Sequence, residues 1–344
     1  MTAAYPKKIL LVRNDKLGDF ILSFPAFALL KKTLPEARVY ALVPSYTRAM
    51  AEACPWIDEV IIDNWQNQGM PAQRHLLSLF KQHRFDAVIT LYSTTRVGLC
   101  AWLARIPYRL APATKLAQFF YNHRLVQRRS RSEQPEHAYN SDLVRQFCRD
   151  LHIEPQPMPA PPYLQFDATV VASLRDAFVQ QHGIKPTDKL VFVHSGSGGS
   201  ARNLSTEQYA RLSANLTSAQ GHTIVLSAGP GEYEHAHKLA SLLPNTPHVI
   251  YESREGLETF ARHIAFADLF IAGSTGPIHV AGSLDVPTAA FYPRRRSATA
   301  LRWQTLNSAP RRLAFSPPET AAEEDMSAIQ IEQTADTISR QFLL

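Results

Sequence analysis

Short apolar runs alternate with amphipathic segments along the first half of the chain. The run at residues 8–12 is typical of a strand buried on both faces, and further strands are predicted at 39–43, 59–62 and 87–91. Helical spacing of apolar positions predicts helices up to about residue 32, near 47–53 and around 72–82. This alternation predicts a parallel sheet with helices on both faces. Residues 105–140 are less regular and rich in basic residues, so we expect a substrate-facing insertion of loops and short helices there.

A proline-dense segment at residues 155–162 interrupts the pattern. It cannot form a helix or an inner strand, so we expect a stiff connector and a domain boundary there. Afterwards the alternation restarts, with predicted strands at 190–194, 223–227, 249–251, 269–272 and 288–291 and helices at 207–220, 232–243, 257–266 and 278–283. A closing helix over 327–343 follows a Ser327-x-x-Gln330 capping box, and we expect it to pack back on the first domain.

The predicted fold class is therefore α/β, with two Rossmann-like doubly wound domains facing each other across a cleft. A chain of 344 residues is long enough for two such domains. We predict an N-terminal domain at 1–160, a C-terminal domain at 161–326 and the closing helix at 327–344.

Composition favours a cytoplasmic enzyme. The sequence has 45% hydrophobic residues, yet it contains no apolar run of membrane-spanning length and no apolar signal core near Met1. Three widely spaced cysteines argue against a disulfide framework or a zinc site. The net charge of +6 suits an anionic substrate, nucleic acid or an acidic membrane surface. The arginine clusters at 124–131 and 294–296 lack interleaved aromatic residues, so no nucleic-acid partner is expected.

The segment Arg13-Asn14-Asp15-Lys16-Leu17-Gly18-Asp19 follows the first predicted strand. Ligands of open α/β sheets bind outside the carboxyl ends of the strands, so this turn is a candidate site. Asp19 either turns its carboxylate toward the cleft or only caps the following helix.

A second candidate loop, residues 194–202, connects a strand to a helix that a Ser205…Gln208 capping box begins. Small residues free its backbone N–H groups to hold an anion, and the predicted phosphate contacts are Ser195, Gly196, Ser197 and Arg202. Two other interpretations are a nicotinamide-dinucleotide fingerprint and a flexible turn. Glu232, after Gly229-Pro230-Gly231, either accepts hydrogen bonds from ribose hydroxyls or complements a helix dipole.

The third candidate loop, residues 273–279, lies between a buried strand and a short helix. Its N-terminal amides, with Ser274, Thr275 and Gly276, suit a diphosphate. His279, one turn inside the helix, either bonds that phosphate or is an ordinary packed residue. Nucleotide-hydrolase, zinc-protease and hydrolase-elbow motifs and an Asp-x-Asp pair are missing from the sequence. We therefore expect no metal and no cofactor, and electrostatic stabilisation of a leaving diphosphate by amides, hydroxyls and Arg202.

Together these motifs resemble the ADP-heptose:lipopolysaccharide heptosyltransferases, glycosyltransferase family nine, over almost the whole chain. The resemblance rests on residues 13–19, on Ser274-Thr275-Gly276-Pro277-Ile278-His279-Val280-Ala281, and on the glycine loop with Arg202. It implies a GT-B fold and an inverting, metal-independent transfer in which Asp19 is the general base. It also implies that Thr275, Gly276 and His279 bind the donor diphosphate, and that Glu232 contacts the donor ribose.

Two positions depart from the family pattern. Ser274 stands where members commonly have Asp, and Asn203-Leu204-Ser205 replaces a pattern of a basic residue or His, then Trp and Pro. The donor is therefore ADP-heptose or another sugar nucleotide. A non-catalytic protein that binds a sugar nucleotide or a glycolipid is the alternative of another class.

The expected acceptor is the lipid A–core of lipopolysaccharide or lipooligosaccharide at the cytoplasmic face of the inner membrane, with no obligate protein partner. Its carboxylates or phosphates suit basic side chains of the first domain. The candidate acceptor-binding residues are Asn14, Lys16, Gly18, Arg96, Lys115, Arg124 and Arg128. The same basic face could instead attach the protein to an anionic membrane surface, and the two roles are compatible.

Overall fold

The structure is a computed structural model that describes residues 5–63, 69–114, 116–196, 202–216 and 221–344. The chain divides into two compact units, Met1–Arg129 with Glu133–Tyr163 and Ser130–Ser132 with Leu164–Leu344. The main division thus falls at Tyr163, beside the proline-dense segment, whereas the sequence prediction put it at residue 160.

The first unit alternates strands and helices. Its strands are β1 (Lys8–Val12), β2 (Arg38–Val43), β3 (Glu59–Ile62), β4 (Ala87–Thr90), β5 (Tyr108–Pro112) and β6 (His123–Leu125). Its helices are α1 (Leu17–Ile21), α2 (Phe24–Thr33), α3 (Arg48–Glu52), α4 (Met70–His83), α5 (Thr95–Leu103) and α6 (Glu136–Asp150).

These strands form a parallel sheet in the order β3-β2-β1-β4-β5-β6. Leu10 of β1 pairs with Tyr40 on one side and with Val88 on the other, and β1 is buried from Ile9 onward. The chain runs outward from β1 in one direction and returns at β4 to run in the other. Loops that leave β1 and β4 therefore diverge, which opens a crevice at their carboxyl ends.

Residues 105–140 are not the loop insertion that we predicted. They contribute β5 and β6 to the sheet, with 3₁₀ turns at Leu116–Phe120 and Arg129–Arg131, and they include the start of α6. Both strands are short, and Arg109 and Pro112 interrupt the apolar pattern of β5, so periodicity could not identify them.

The second unit begins with α7 (Ala168–Gln181) and repeats the alternation. Its strands are β7 (Lys189–His194), β8 (His222–Ala228), β9 (His248–Glu252), β10 (Leu269–Gly273), β11 (Thr288–Phe291) and β12 (Arg312–Phe315). Its further helices are α8 (Thr206–Leu216), α9 (Tyr233–Ser241), α10 (Leu257–Ile264), α11 (Gly276–Ser283) and α12 (Ile331–Ile338).

The second sheet is also parallel, in the order β12-β11-β10-β7-β8-β9. When β7 is taken as the equivalent of β1, the strands have the same order as in the first unit. The equivalent crevice therefore lies where β7 and β10 end. His194 at the end of β7 pairs directly with Ala272 of β10. The predicted α/β class with two doubly wound sheets is confirmed.

The end of the chain is part of the core of the second unit. Ile331, Ala335, Ile338 and Leu343 are buried in one cluster with residues of β7, β8 and α8. We predicted that this segment packs back on the first domain; its buried apolar face belongs to the core of the second unit. The predicted capping box is wrong: Gln330 is the N-cap of α12, and Asp325 accepts the backbone N–H of Ser327.

Two general observations concern the described residues. None of their helices is long and apolar enough to cross a membrane. Cys54, Cys100 and Cys148 are free thiols, and all three are buried.

Candidate functional site

The first candidate centre surrounds Arg13, the residue after β1. Its side chain is only 2% exposed, although it carries a permanent charge. Nε donates to Asp15 Oδ1 at 2.9 Å, Nη1 donates to Glu136 Oε1 at 2.7 Å, and Nη2 donates to Asp19 Oδ1. One guanidinium therefore binds three carboxylates, each through a different nitrogen.

Helix α6 supplies the buried side of this centre. Asn140 accepts from Arg13 Nη1 at 3.2 Å and donates to the carbonyl of Leu22 at 3.1 Å, and Arg129 Nη1 donates to Glu136 Oε1 at 2.7 Å. Burial by itself would lower the pKa of Arg13, but the three carboxylates raise it well above its ordinary value. The guanidinium is thus a fixed, fully paired cation.

Asp15 and Asp19 lie on the more accessible side of the same guanidinium. Asp19 is in the first turn of α1, whose N-cap is Lys16 with no side-chain capping bond, so Asp19 is oriented by Arg13 and does not act as the helix cap. Its side chain is 16% exposed, and its Oδ2 has no hydrogen-bond partner among the described residues. Burial raises the pKa of Asp15 to about 6, Arg13 opposes this rise and the neighbouring Asp19 adds to it.

The predicted acceptor-binding residues divide into two groups. Asn14 donates to Asp63 Oδ2 at 2.9 Å, and Arg96 binds both oxygens of Asp63 at 2.5 and 2.7 Å, so these two side chains hold one another in place. By contrast, Lys16, Arg124 and Arg128 are exposed, and Gly18 is half-buried. Lys115 lies outside the described residues.

The second candidate centre lies where β7 ends. His194 is buried, its Nδ1 is 3.3 Å from Ser227 Oγ, and its Nε2 is 3.3 Å from Glu232 Oε2. The same Glu232 oxygen accepts the backbone N–H of Gly229 at 3.0 Å. The bond to His194 is the main cause that lowers the pKa of Glu232 below its ordinary value, and the bond to Gly229 adds to it. Burial opposes this decrease.

Gly196 leaves room for this carboxylate. A Cβ atom at position 196 would lie 2.3 Å from Glu232 Cδ, so any side chain there would force the carboxylate out of its place. Similarly, a Cβ at Gly273 would lie 2.4 Å from Oδ1 of Asn203, which accepts from Tyr209 at 2.8 Å. Glycine at positions 196 and 273 thus has a geometric explanation, because the side chains of Glu232 and Asn203 occupy the space that a Cβ atom would need.

The third loop, after β10, is built as predicted at the start of a helix. Thr275 is the N-cap of α11 and makes no side-chain capping bond. Its Oγ1 is buried without a hydrogen-bond partner among the described residues, and so is Nδ1 of His279. Burial lowers the pKa of His279 to about 4, so the imidazole is neutral at pH 7 and could only offer a phosphate an N–H group.

The remaining predicted donor-binding residues are distributed around these loops. Ser195, Ser274 and Gly276 are half-buried, and Arg202 is exposed. The Ser205 capping box is confirmed, since Gln208 N donates to Ser205 Oγ at 3.2 Å and Ser205 N donates to Gln208 Oε1 at 3.0 Å. Ser197 lies outside the described residues, and so does most of the glycine pattern that suggested a dinucleotide.

Sequence reasoning placed Arg13 and His194 in candidate loops without giving either residue a role, and it missed Glu136. Arg13 directly follows β1 and His194 is the last residue of β7, so both share one signal, a polar residue where a buried strand of a doubly wound unit ends. Glu136 gave no signal, because its pairing with Arg13 joins residues 123 positions apart.

Each unit thus has a Rossmann-like sheet, and at the crevice of the second sheet α11 begins directly after β10 with an N-terminus suited to an anion, an arrangement typical of glycosyltransferases that use nucleotide sugars. A family model confirms the class: residues 74–310 match "Glycosyltransferase family 9 (heptosyltransferase)". The chain belongs to this family and is a glycosyltransferase.

Individual proteins agree with this assignment. A Haemophilus influenzae protein, named only provisionally as a glycosyltransferase, is 47% identical over 334 residues, which cover 97% of this chain and 96% of the relative. Lipopolysaccharide heptosyltransferase 2 of Salmonella typhimurium is 23% identical over 83% of this chain and 82% of its own length. The Escherichia coli ADP-heptose lipopolysaccharide heptosyltransferase II structure matches with a TM-score of 0.78 at 18% identity, over 98% of each chain, which confirms the fold.

Proposed function

We propose that this chain is an inverting, metal-independent heptosyltransferase that moves heptose from ADP-heptose to the core of lipopolysaccharide or lipooligosaccharide. The observation that carries the proposal is the Asp19 carboxylate, which buried Arg13 holds by one oxygen at the crevice of the first sheet. Family membership and the Salmonella relative's name support the transferred sugar and the acceptor class.

In the first step, Asp19 accepts a proton from an acceptor hydroxyl. Arg13 binds Oδ1 and thereby fixes the carboxylate, so that Oδ2 is available to this hydroxyl. The acceptor oxygen attacks the anomeric carbon from the face opposite the leaving group, and the bond from that carbon to the diphosphate oxygen breaks. The proton remains on Asp19, ADP leaves with the electron pair, and the configuration inverts.

The second unit supplies the donor-binding groups. Backbone amides at the start of α11 suit the diphosphate, and the unpartnered Oγ1 of Thr275 suits a phosphate oxygen. Glu232, fixed by His194 and by the Gly229 N–H, suits the ribose hydroxyls. Arg202 adds positive charge, so the leaving diphosphate is stabilised by fixed donors without a metal.

The acceptor in this proposal is lipid-linked. We therefore also propose that the protein works at the cytoplasmic face of the inner membrane as a peripheral protein, with exposed Lys16, Arg124 and Arg128 near the acceptor phosphates.

The decisive experiment compares Asp19→Asn with the wild-type protein in an ADP-release assay that contains ADP-heptose and a lipid A–core acceptor. Asn still accepts the Arg13 hydrogen bond but takes no proton, so we expect kcat to fall by about 10²- to 10⁴-fold. Asp336→Asn is the matched control, since Asp336 is exposed and pairs only with Arg340 among the described residues. Unchanged turnover of Asp19→Asn would rule out Asp19 as the base.

A panel of other sugar nucleotides tests the donor, because Ser274 replaces the Asp common in the family. Faster transfer from another sugar nucleotide would identify a different donor within the same chemistry. Donor binding without transfer, in the wild-type protein and with every acceptor, would instead indicate a binding protein.

A further inference from the structure

One stretch of the first unit carries positive charge without any carboxylate. Between Asp86 and Glu133 the sequence has no Asp or Glu but eight Lys and Arg residues, at positions 96, 105, 109, 115, 124, 128, 129 and 131. Arg96 and Arg129 pair with Asp63 and Glu136 from outside the stretch, whereas Arg105 and Arg124 are exposed and present positive potential to solvent.

The same stretch exposes large apolar side chains. Trp102 is 51% exposed, Leu103 42%, Leu116 74% and Phe119 71%. We call these four residues the α5 patch. Exposed apolar residues elsewhere, such as Leu242 and Leu301 of the second unit, lie in separate elements of the chain. A group of this kind marks an interaction surface more often than scattered single residues do.

Close packing fixes the two parts of the α5 patch beside each other. Gly98 lets α5 approach the 3₁₀ turn Leu116–Phe120 so closely that a Cβ there would lie 2.9 Å from the Tyr121 ring and 3.1 Å from Phe120 Cβ. The rings of Trp102 and Phe120 are 6.3 Å apart. The last turn of α5, with Trp102 and Leu103, therefore lies next to the turn that carries Leu116 and Phe119.

Arg109 connects the two parts of the α5 patch through hydrogen bonds. Its Nε donates to the carbonyl of Phe120 at 2.9 Å and its Nη1 to the carbonyl of Ile106 at 2.5 Å, so it ties the 3₁₀ turn to the segment that follows α5. The backbone of the patch is thus preformed, so binding does not require a loss of conformational entropy to order it.

Exposed Arg105 stands at the edge of the patch, two residues after Leu103, and its N–H bonds the carbonyl of Trp102 at 3.0 Å. Arg124, on β6 and also exposed, follows the 3₁₀ turn along the chain. Aromatic and aliphatic side chains with arginine beside them are the combination by which a peripheral protein enters the headgroup region of an anionic bilayer.

We propose that the α5 patch is a membrane-docking surface that inserts Trp102, Leu103, Leu116 and Phe119 into the interface of an anionic phospholipid bilayer. Arg105 pairs there with lipid phosphates. This inference specifies the membrane attachment within the proposed function and rests on it only for the location of the acceptor, since docking does not depend on which sugar is transferred.

The test is flotation of the full chain with vesicles of phosphatidylcholine alone or of phosphatidylcholine with phosphatidylglycerol. We expect binding to the anionic vesicles only, weaker at high salt. Trp102→Ser with Phe119→Ser should weaken this binding about tenfold. Arg105→Asn, chosen because Asn tolerates the positive φ of 57° at this position, should weaken it about fivefold. Leu242→Ser with Leu301→Ser is the matched control and should bind like the wild-type protein.

Two further readouts separate this inference from its rivals. Brominated phospholipids should quench tryptophan emission of the wild-type protein, and clearly less that of a Trp102→Phe variant. Transfer to a deacylated, water-soluble acceptor should not change in the Trp102→Ser, Phe119→Ser variant, whereas Asp19→Asn should keep vesicle binding and lose turnover. Equal vesicle binding by the patch variant and the wild-type protein, or a patch variant that alters only the oligomeric state, would overturn the docking surface.

Discussion

Replacing Gly196 with Ala tests the geometry of the second centre directly. The new methyl group would lie 2.3 Å from Cδ and Oε1 of Glu232 and 2.7 Å from its Oε2. The backbone of Gly196 and the end of β7 cannot move easily, because the strand is buried between β8 and β10. The flexible carboxylate must therefore move, and its bonds to His194 and to the Gly229 N–H are lost.

The expected size follows from these bonds. A hydrogen bond to a charged group contributes about 1.5–3 kcal/mol, but the Glu232 side chain is partly exposed and can be solvated after it moves. We therefore expect a loss of about 1–2 kcal/mol in the free energy of unfolding. If Glu232 binds the donor ribose, the Michaelis constant for the donor should rise about 10- to 100-fold with a smaller change in kcat.

Gly229→Ala is the graded control on the same carboxylate, since a Cβ there would lie 3.2 Å from Glu232 Oε2. A side chain can accommodate that contact with a small shift, so its effects should be several times weaker. Steady-state kinetics with ADP-heptose and urea unfolding of each variant give the two readouts.

A double-mutant cycle decides whether Glu232 is the cause. In a Glu232→Ala background the methyl group at position 196 meets no carboxylate, so adding Gly196→Ala should cost little. If Gly196→Ala instead costs as much without the carboxylate as with it, the methyl acts on the donor or on the backbone, and the reasoning from Glu232 is refuted.

The remaining predictions concern charge and pH. Arg13→Lys should lower the free energy of unfolding by about 2–4 kcal/mol and reduce kcat, because one ammonium cannot replace three directed N–H donors; a fully stable and active Lys variant in urea unfolding and kinetics would contradict this. The raised pKa of Asp15, about 6, means that its stabilising protonation is complete below about pH 4 and lost as pH rises through 6. Asp15→Asn should therefore gain stability relative to the wild-type protein between pH 5 and 8, by at most about 3 kcal/mol; a difference that does not vary with pH would disagree. The pKa of His279, about 4, lies below its ordinary value, so the neutral imidazole stabilises the fold above about pH 6.5 and this is lost as pH falls toward 4. His279→Gln should flatten the acid side of the stability curve, and an unchanged curve would show that other groups determine it.

Periodicity identified the elements whose environment is uniform. The strands β1, β3 and β11 were predicted with their observed bounds, because their side chains lie in one kind of surroundings along the whole strand. The first long helix was predicted as continuous, whereas α1 ends at Ile21 and α2 begins at Phe24. Pro25 explains that break: it has no N–H to donate to the carbonyl of Ile21 and fits the first turn of a new helix, a local signal that the prediction overlooked. Asn140 then donates to the Leu22 carbonyl at the break.

The candidate site was predictable to the extent that it depends on topology. Once the chain is recognised as doubly wound, strand ends identify the loops of Asp19, Gly196 and Thr275. The partners of these residues were not predictable, since Arg13 meets Glu136 from α6 and Gly196 meets Glu232 from the next connection. Arg96 is another residue whose partner the sequence did not reveal. We predicted that it contacts the acceptor, but both its Nη atoms donate to Asp63.

The position of α12 has a consequence for synthesis of the protein. Strands β1–β6 and helix α6 are complete by Asp150, so the first unit can fold while the ribosome is still translating the second. The second unit must wait, because Ile338 and Leu343 belong to its core and Lys189 at the start of β7 donates to the carbonyls of Phe342 and Leu343. During that interval the apolar surface around β7 and α8 lacks its cover. Nascent chains stalled before residue 331 should therefore carry a protease-resistant first unit and a second unit that recruits chaperones.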